Sequence, residues 1–471
     1  MRKKRIILKN VEVADYAAEG KCISKVDGKA IFISKTVPGD IVDVLLSKNK
    51  KDWAEGNPIR FEKFSDLRIN AFCSHYGVCG GCQWQMLPYS LQLEYKHKQV
   101  VETLKRIAKV ALPKILPIIG SQETTLYRNK LEFTFSNKKY LLPEELNDES
   151  ITASQNVGGF HAKGFFDKVV DIYNCHLMAE PSNKIRNTVK DYCIQHNVEF
   201  YDIRMHTGFI RNMMVRVATT GEVMVNVIVA KDEKNIIENL CNHLLIEVPS
   251  ITTLFYTINS KMNDSIYDLN SVLFSGKGFI EEKLENFKFK ISPKSFFQTN
   301  TKQAEKLYSI TRDFAELNGS QIVYDLYCGT GSIGIFVSKN AQKIIGVETV
   351  TEAIEDAKEN ALFNNLENAS FFAGDVIDIC NNTFFNTHGK PDVIITDPPR
   401  AGMHEKLVNK LLDIEASLIV YVSCNPATQA RDLALLDAKY VVTKVQPVDM
   451  FPHTLHIENI VQLKLRRISE S

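Results

Sequence analysis

The sequence lacks long hydrophobic runs, low-complexity segments and any large excess of charge of one sign. Its 57 Lys and Arg residues are balanced by 56 Asp and Glu residues, so bulk charge does not by itself indicate a nucleic-acid partner. No run approaches the roughly 20 apolar residues of a transmembrane helix. The apolar stretch at residues 6–8 is too short for a signal peptide. We therefore expect a cytoplasmic protein without a membrane partner.

Length and cysteine content set the next limits. A chain of 471 residues is too long for one ordinary hydrophobic core, so two or three domains are expected. The ten cysteines of a cytosolic protein are not expected to form structural disulfides. They are better explained as core residues, metal ligands or nucleophiles.

The first 62 residues read as short strands separated by Gly, Pro and Asp, which predicts a small β-barrel. Residues 1–64 contain 14 Lys and Arg against 9 Asp and Glu. The lysine-rich loop SKNKKDWAEG places Trp53 among cations, a combination that suits a phosphate backbone and a base face. The alternative is a solubilising basic loop on an ordinary β-domain.

The rest of the chain divides at about residue 291. Residues 63–290 mix strands and helices around the cysteine-rich stretch FCSHYGVCGGCQWQ, and a helix is predicted near residues 90–110. From 291 to 471 the pattern becomes strand, loop and helix in repetition, which predicts a doubly wound parallel sheet. The fold class is therefore α/β, and the helix near 90–110 is a candidate to pack on this last domain.

A glycine-rich loop, YDLYCGTGSIG, follows the first of these strands. Gly329, Gly331 and Gly334 would let the backbone approach a ligand, and Glu348 ends the next strand. A carboxylate at that position can hold two ribose hydroxyls, so the pattern favours a nucleoside cofactor. A tight turn required only for packing is the alternative.

Asp397-Pro-Pro-Arg400 follows the fourth strand, PDVIIT. NAD enzymes have no reason for two prolines there, whereas S-adenosylmethionine enzymes often place an acidic or amide group and Pro-Pro beside the methyl donor. Amino-methylating enzymes usually have an aromatic as the fourth residue, so Arg400 argues against methylation of an amino group on DNA or protein. A rigid proline turn that merely ends the strand is the alternative.

Cys424 lies between the buried run LIVYVS and Asn425-Pro426, at the edge where α/β enzymes bind ligands. A thiolate there could add to C6 of uracil and turn C5, a poor nucleophile, into an enolate-like centre that accepts a methyl group. A base must then remove the C5 proton. The stretch DMFPHTLHIENIVQL offers Glu458, His453 and His456, with Glu458 preferred because it opens a strand predicted to be half-buried. An inert buried thiol and an exposed edge glutamate are the alternatives.

Five motifs occur here in the order found in the folate-independent, S-adenosylmethionine-dependent RNA uracil-C5 methyltransferases: SPKSFFQTN, DLYCGTG, DPPR, SCNPATQARDL and MFPHTLHIE. The chain resembles this family over essentially its whole length. The resemblance implies that Cys424 is the nucleophile and Glu458 the general base. It implies cofactor contacts at Gln298, Tyr327, Glu348 and Asp397. Ser332 stands where the family often has Asn, so that contact is not carried over.

Cys73, Cys79 and Cys82 have the spacing C-x5-C-x2-C, and Cys175 could complete a set of four ligands for zinc or an iron–sulfur cluster. The chain resembles the ribosomal branch of the family here, which implies a [4Fe–4S] cluster with a structural or RNA-orienting role. Zinc and unrelated buried thiols are the alternatives. The N-terminal barrel resembles the TRAM domain, an OB-like RNA-binding module.

The resulting expectation is a monomeric RNA (uracil-C5)-methyltransferase with three domains: TRAM (1–62), a central domain with the four cysteines (63–290) and a Rossmann-like catalytic domain (291–471). Its expected substrate is 23S ribosomal RNA. Transfer RNA is the alternative within the same chemistry. A non-catalytic RNA-binding or assembly factor is the competing class, although such a protein would need none of Cys424, Glu458 and Asp397.

Overall fold

The computed structural model describes residues 5–142, 144–148 and 150–466, which form three large sheets. The first sheet has the strand order β1-β5-β6-β4-β3-β2. Alternation in KAIFIS buries Ile31 and Ile33 and turns their neighbours outward, so the predicted β-rich N-terminal region is confirmed. The strands are β1 (Ile7–Glu12), β2 (Asp15–Tyr16), β3 (Lys21–Val26), β4 (Lys29–Ser34), β5 (Ile41–Asn49) and β6 (Trp53–Lys63).

After the cysteine-rich loop the chain forms helix α1 (Tyr89–Thr103), which continues as one π-helical turn, Leu104–Ala108. The helix has two buried faces. Tyr95 stacks on Tyr16 of the first sheet at 4.8 Å between ring centroids. Val100 belongs to the hydrophobic core of the third sheet. Helix α1 therefore joins the N-terminal sheet to the C-terminal one.

The second sheet has seven strands in the order β13-β12-β11-β10-β7-β8-β9, and every pair except β11 with β12 is antiparallel. Two helices, α2 (Ser182–Gln195) and α3 (Lys234–Glu247), pack on it through apolar residues that share one core with β10 and β11. The strands are β7 (Lys130–Ser136), β8 (Val157–His161), β9 (Val169–Asp171), β10 (Ile210–Val217), β11 (Val223–Val229), β12 (Thr253–Ile258) and β13 (Ser271–Gly276).

The hairpin of β14 (Ile280–Leu284) and β15 (Phe287–Ile291) precedes the third sheet and packs into its core. The third sheet has the order β18-β17-β16-β19-β20-β22-β21. Its strands are β16 (Ile322–Leu326), β17 (Lys343–Glu348), β18 (Ala369–Ala373), β19 (Val393–Thr396), β20 (Leu418–Ser423), β21 (Tyr440–Val448) and β22 (Glu458–Leu465). Its helices are α4 (Thr301–Ala315), α5 (Ser332–Val337), α6 (Thr351–Phe363), α7 (Val376–Ile379), α8 (Asn382–His388), α9 (Glu405–Ile414) and α10 (Pro426–Leu436).

The first five strands of this sheet are parallel, and helices cover both faces, so the predicted α/β class is confirmed. Successive residues of β16 enter different layers: Val323 packs with α4 and α5, and Tyr324 packs with α9 and α10. The last strand, β22, is antiparallel to both β20 and β21. Strand order reverses between β16 and β19, and that reversal opens a ligand crevice at their carboxyl ends.

A buried ion pair ties α1 to the loop before β22. Lys96 Nζ lies 2.6 Å from Asp449 Oδ1, and both side chains are fully buried. Tyr89 Oη donates to Asp449 Oδ2 at 2.8 Å, and the Phe451 backbone N–H donates to Oδ1 at 3.1 Å.

The described residues contain no helix long and apolar enough to cross a membrane.

Removing Lys96 should destabilise this junction strongly. Lys96→Ala leaves the Asp449 carboxylate buried without its counter-ion, which typically costs about 3–5 kcal/mol of the free energy of unfolding. Urea unfolding followed by Trp84 fluorescence measures it, because Lys96 Nζ lies 5.8 Å from that ring. Lys98→Ala is the matched control on the same helix. Its partner Asp15 is half-exposed, so the loss should be below about 1 kcal/mol. Equal effects of the two substitutions would contradict the prediction.

Candidate active site

The carboxyl ends of β16, β19 and β20 bring the sequence-predicted residues to one edge of the third sheet. Leu326 pairs with Thr396, so Tyr327 and Asp397 are the next residues on neighbouring strands. Cys424 follows directly after β20. The crevice at the strand-order reversal is therefore bordered by Tyr327 and Asp397, with Cys424 one strand further along.

The glycine-rich loop borders the cofactor side of the crevice. Gly331 has φ of +75°, and a Cβ there would lie 2.8 Å from the Phe371 ring, so glycine is required at this position. The Gly329 N–H donates to Glu348 Oε2 at 3.3 Å. A cavity of about 350 Å³ beside the loop is lined by Tyr327, Glu348, Thr349, Asp375, Val376, Ile377, His404 and Lys406.

The residues that line the cavity suit an adenosine group in their chemistry. Glu348 Oε1 accepts the N–H groups of Thr349 at 2.7 Å and Val350 at 3.1 Å, which hold the carboxylate at the cavity wall. Two apolar side chains, Val376 and Ile377, line the cavity with Tyr327. A carboxylate for hydroxyls and an apolar surface for a purine ring are the elements that nucleoside sites combine.

Asp325 is a buried acid that the sequence pattern did not single out, although it interrupts an apolar strand. Its Oδ2 accepts the Gly334 N–H at 2.8 Å and so fixes the start of α5. Burial raises the pKa of this carboxyl to about 7. Nearby, Tyr308 of α4 lies 3.0 Å from the Ser332 hydroxyl, so the fold supplies that hydroxyl with a hydrogen-bond partner.

Gln298 lies in the segment between β15 and α4. Its carbonyl accepts a hydrogen bond from the Asn129 side chain at 2.9 Å, which ties the segment to the second sheet. Two residues earlier, the Phe296 carbonyl accepts from Thr330 Oγ1 at 3.2 Å, so the segment lies against the glycine-rich loop. Gln298 is thus beside the loop, while the cavity itself is lined by other residues.

Cys424 directly follows β20, and Glu458 begins the neighbouring strand β22. Ser423 pairs with Asn459 at the end of the β20–β22 ladder, so the same register continued by one residue sets Cys424 beside Glu458. Glu458 is one of the charges that act on the Cys424 thiol. Burial and then Asp397 raise the pKa of Glu458 well above its ordinary value. Burial, Glu458 and Asp397 raise the pKa of Cys424 to about 11, and Arg400 opposes them. In the free protein near neutrality, the site therefore holds Cys424 as a thiol.

Gln429 of α10 forms hydrogen bonds to both β20 and β22, a role that the sequence pattern did not single out. Its side-chain Nε2 donates to the carbonyls of Tyr421, at 3.0 Å, and Asn459, at 3.1 Å. Its Oε1 accepts from the Asn459 side chain at 2.7 Å. Because one amide bridges β20 and β22, Gln429 positions the strands that carry Cys424 and Glu458. Its place within SCNPATQARDL was the available signal.

The same helix holds the DPPR loop. The Asn425 side-chain Nδ2 donates to the Arg400 carbonyl at 3.1 Å. Asp432 accepts from Tyr421 Oη at 2.7 Å and from the Met403 N–H at 2.9 Å. The SCNPATQARDL motif therefore carries the cysteine and also fixes the loop that presents Arg400.

His453 lies in the loop before β22, where hydrogen bonds hold it in place, so it is a structural residue rather than a free base. Its N–H donates to Gln92 Oε1 at 2.9 Å, and its ring Nδ1 lies 3.1 Å from Gln92 Nε2. Its carbonyl accepts the N–H groups of Gln83 and Trp84. Burial lowers the pKa of the imidazole to about 4. The second histidine, His456, is exposed with its ring edge toward Phe451.

The four cysteines Cys73, Cys79, Cys82 and Cys175 line one cavity of about 360 Å³. Thr299 and Thr454, from two of the C-terminal motifs, also line it. Within the ranges that the structure describes, no three His, Cys, Asp or Glu side chains are grouped so that they could hold a metal ion. The cysteines thus come together around a space without converging on a single point.

This arrangement bears on which metal the thiols could hold. Zn–S bonds of about 2.3 Å bring four thiolates to roughly 3.8 Å from one another, a convergence absent from the described residues. A cubane cluster has one thiolate on each of four irons and so needs the ligands spread around a cavity. What the structure shows is four thiols that line one cavity.

Comparisons with known proteins agree with this geometry. The family model for tRNA (Uracil-5-)-methyltransferase matches residues 272–466. An uncharacterized RNA methyltransferase of Bacteroides thetaiotaomicron is 52% identical over 96% of this chain and 100% of its own. One from Porphyromonas gingivalis is 48% identical over 96% of this chain and 99% of its own.

Among solved structures, the chain is similar to Pyrococcus abyssi tRNA (uracil-54, C5)-methyltransferase in complex with S-adenosyl-L-homocysteine. The two share 27% sequence identity with a TM-score of 0.74, over 98% of this chain and 100% of the other. The similarity therefore covers all three sheets rather than the C-terminal one alone.

The positive charge of Arg400 and the negative charge of Asp397 should change the reactivity of the Cys424 thiol in opposite directions. Arg400→Gln removes the cation that favours the thiolate and raises the pKa, whereas Asp397→Asn removes an opposing anion and lowers it. At pH 8 the thiolate fraction follows the pKa directly, so alkylation should become about three- to tenfold slower and faster, respectively.

The measurement is the iodoacetamide labelling rate of the Cys424 peptide by mass spectrometry, without cofactor. Arg60→Gln in the N-terminal sheet is the control and should leave the rate unchanged. Changes of the same sign for Arg400→Gln and Asp397→Asn would show that these charges do not govern the thiol.

Proposed function

This chain belongs to the S-adenosylmethionine-dependent RNA uracil-C5 methyltransferase family, and we propose that it methylates C5 of a specific uridine through a covalent adduct on Cys424. The observation that carries the proposal is the register of β20 with β22, which continued by one residue sets Cys424 beside Glu458, one strand from the crevice. A protein that only binds RNA has no use for a thiol and a carboxyl facing each other there.

The reaction needs a nucleophile, a methyl donor and a base. The Cys424 thiol first loses its proton to solvent. The thiolate Sγ then bonds to C6 of uracil, and the electron pair of the C5–C6 double bond moves into an enolate-like system. S-adenosylmethionine, when bound, supplies the methyl group and a positive sulfonium charge. C5 takes the methyl group, and Glu458 then removes the C5 proton, so that the double bond reforms and Cys424 leaves as thiolate.

The high pKa of the thiol is consistent with a site that becomes active only when it is filled. Arg400 is the chain's own group that favours the thiolate. Asp397 and Glu458 oppose it, and they lie where a cation brought by the methyl donor would offset them. We propose that Tyr327, Glu348, Asp397 and Gln298 hold that donor, with Glu348 on the ribose hydroxyls.

We propose 23S ribosomal RNA as the substrate. The four-cysteine cavity and the β-rich N-terminal region support it, because both features are typical of the ribosomal branch. On this proposal residues 1–62 are a TRAM-type, OB-like RNA-binding domain, 63–290 carry the cluster and 291–471 catalyse. We propose that it acts as a cytoplasmic monomer, since Cys424, Glu458 and the cofactor cavity come from one chain.

Transfer RNA is the second candidate substrate. The similarity to the Pyrococcus abyssi enzyme supports it, because that protein is a tRNA (uracil-54, C5)-methyltransferase and the match covers both chains almost fully. The family model carries a tRNA name as well. The chemistry at Cys424 would be the same on either RNA.

Protein purified without air should contain about four irons per chain if the cysteine cavity holds a [4Fe–4S] cluster. Cys79→Ser should abolish iron binding and visible absorption, with an indirect effect on methylation. Cys193→Ser is the control, because this thiol is buried in the core of the second sheet. One equivalent of zinc, without visible absorption, would establish the zinc alternative.

Variants of Cys424 and Glu458 should stop the reaction at different steps. They should therefore differ in whether a covalent adduct of protein and RNA accumulates. Cys424→Ala should neither methylate RNA nor bond to it. Glu458→Gln should stop after methyl transfer, because Cys424 cannot leave until the C5 proton is removed. Loss of a general base typically slows a step by about 10²–10⁴, enough for the adduct to accumulate. Denaturing electrophoresis with methyl-labelled S-adenosylmethionine and total cellular RNA shows the adduct as a labelled, slow-migrating band.

Sequencing the RNA trapped by Glu458→Gln identifies the substrate, and we expect 23S ribosomal RNA. Trapped transfer RNA would select the second candidate. Turnover by Glu458→Gln near the unmutated rate would exclude Glu458 as the base. An RNA-binding protein without methyl transfer in any variant would favour the assembly-factor class.

A further inference from the structure

The tip of the β8–β9 hairpin, residues 162–168, presents two adjacent phenylalanines to solvent. Phe165 is 44% exposed and Phe166 is 64% exposed. The turn is well defined, since Gly164 has φ of +85° and the Phe165 N–H donates to the Ala162 carbonyl at 3.0 Å. Phe165 contacts Tyr140 at 5.5 Å between ring centroids, but that contact does not account for the exposed parts of the two rings.

Cations hold both rings in place. The Arg204 guanidinium lies 5.2 Å from the Phe166 ring centroid, and Lys168 Nζ lies 5.7 Å from that of Phe165. Arg204 also forms an ion pair with Asp167, which satisfies that buried carboxylate. The rings are therefore presented at fixed positions, so little conformational freedom would be lost when a ligand stacks on them.

The surroundings are positively charged. Lys163 is exposed, and neither it nor Lys168 forms an ion pair with a carboxylate of the described residues. Burial lowers the pKa of Lys163, and Lys35, the residue directly after β4, lies close enough to lower it further. The nearby acid Asp202 is already paired with Lys138 at 3.3 Å. The charge left at the tip suits phosphate groups.

The hairpin is attached to the cysteine-rich loop through its backbone. Cys79 and Ala162 form an isolated antiparallel bridge. The Gly80 N–H donates to the His161 carbonyl at 3.2 Å, and the Lys163 N–H donates to the Val78 carbonyl at 3.3 Å. The conformation of the cysteine loop therefore sets the angle at which the two rings are presented.

We propose that the hairpin tip is a binding site for single-stranded RNA, in which unpaired bases stack on Phe165 and Phe166 while Lys163 and Lys168 contact the flanking phosphates. The inference deepens the proposed function, on which it rests. Exposed aromatic faces combined with unpaired cations are the recognition chemistry of single-stranded nucleic acid. A protein partner would make less use of lysines without carboxylate partners.

The test is binding of full-length protein to a 20-nucleotide oligouridine, measured by fluorescence anisotropy over a salt series. Phe165→Ala/Phe166→Ala should weaken binding about five- to a hundredfold per stacked base. Lys163→Gln/Lys168→Gln should reduce the slope of log affinity against log salt by about 0.7 for each lost contact. Ile246→Ser is the control and should change neither, because Ile246 is an apolar residue even more exposed than the two phenylalanines and lies beside Glu247 on α3.

Affinity and slope equal to those of the control would overturn the inference, as would failure of unmutated protein to bind the oligouridine. Methyl transfer assays on cellular RNA separate it from the proposed function. Methyl transfer with an unchanged KM in the hairpin variants would leave the function standing and overturn the site. Loss of oligouridine binding in a chain that transfers no methyl group would support the site and overturn the function. If the hairpin variants bind RNA as the unmutated protein does but lose a protein that the unmutated protein binds, the tip is a protein interface.

Discussion

The antiparallel pairing of β20 with β22 is the constraint on which the candidate chemistry depends. A cysteine at the end of a parallel strand reaches the ligand edge of the sheet, but it needs a second group across from it. Because Ser423 pairs with Asn459, that group is Glu458. The Gln429 side chain bridges both strand ends, so the register is held by side-chain bonds as well as by the backbone ladder.

This arrangement places three ionisable groups in one poorly solvated region. Burial raises the pKa values of Asp397, Glu458 and Cys424, and Arg400 is the cation that works against it at Glu458 and Cys424. Such a site favours neutral groups when it is empty. Its geometry suits a reaction in which charge arrives with the substrates, because a nearby cation then stabilises ionised groups more than it would in water.

Two residues of α1 hold the loop before β22 in place. Lys96 neutralises Asp449, and Gln92 binds the backbone and ring of His453. Both residues lie on α1, whose other face packs on the first sheet. The position of Glu458 therefore depends on elements separated from it by most of the sequence. The cysteine cavity lies at the same junction, where Thr299 and Thr454 line its wall.

Local patterns were sufficient for several parts of this protein. Apolar runs separated by helical segments predicted the parallel sheet, because strands buried on both faces need no polar alternation. The glycine-rich loop and Glu348 indicated the cofactor edge, since backbone conformation and a strand-end acid can be read within a few residues. Cys424 stood out for the same reason: its neighbours on both sides define the end of a strand.

Other features were decided only by tertiary structure. Glu458 and His453 are five residues apart, and the sequence favoured Glu458 as the base without showing what either residue contacts. The fold places Glu458 opposite Cys424 and binds His453 to Gln92. Asp325, Gln429 and Lys96 gained their roles from partners on other elements. The sequence by itself determined which strands form and which residues stand at their ends, since those depend on neighbouring side chains. Strand order, register and burial determined which of those residues meet, because these arise from contacts between distant segments that no local periodicity encodes.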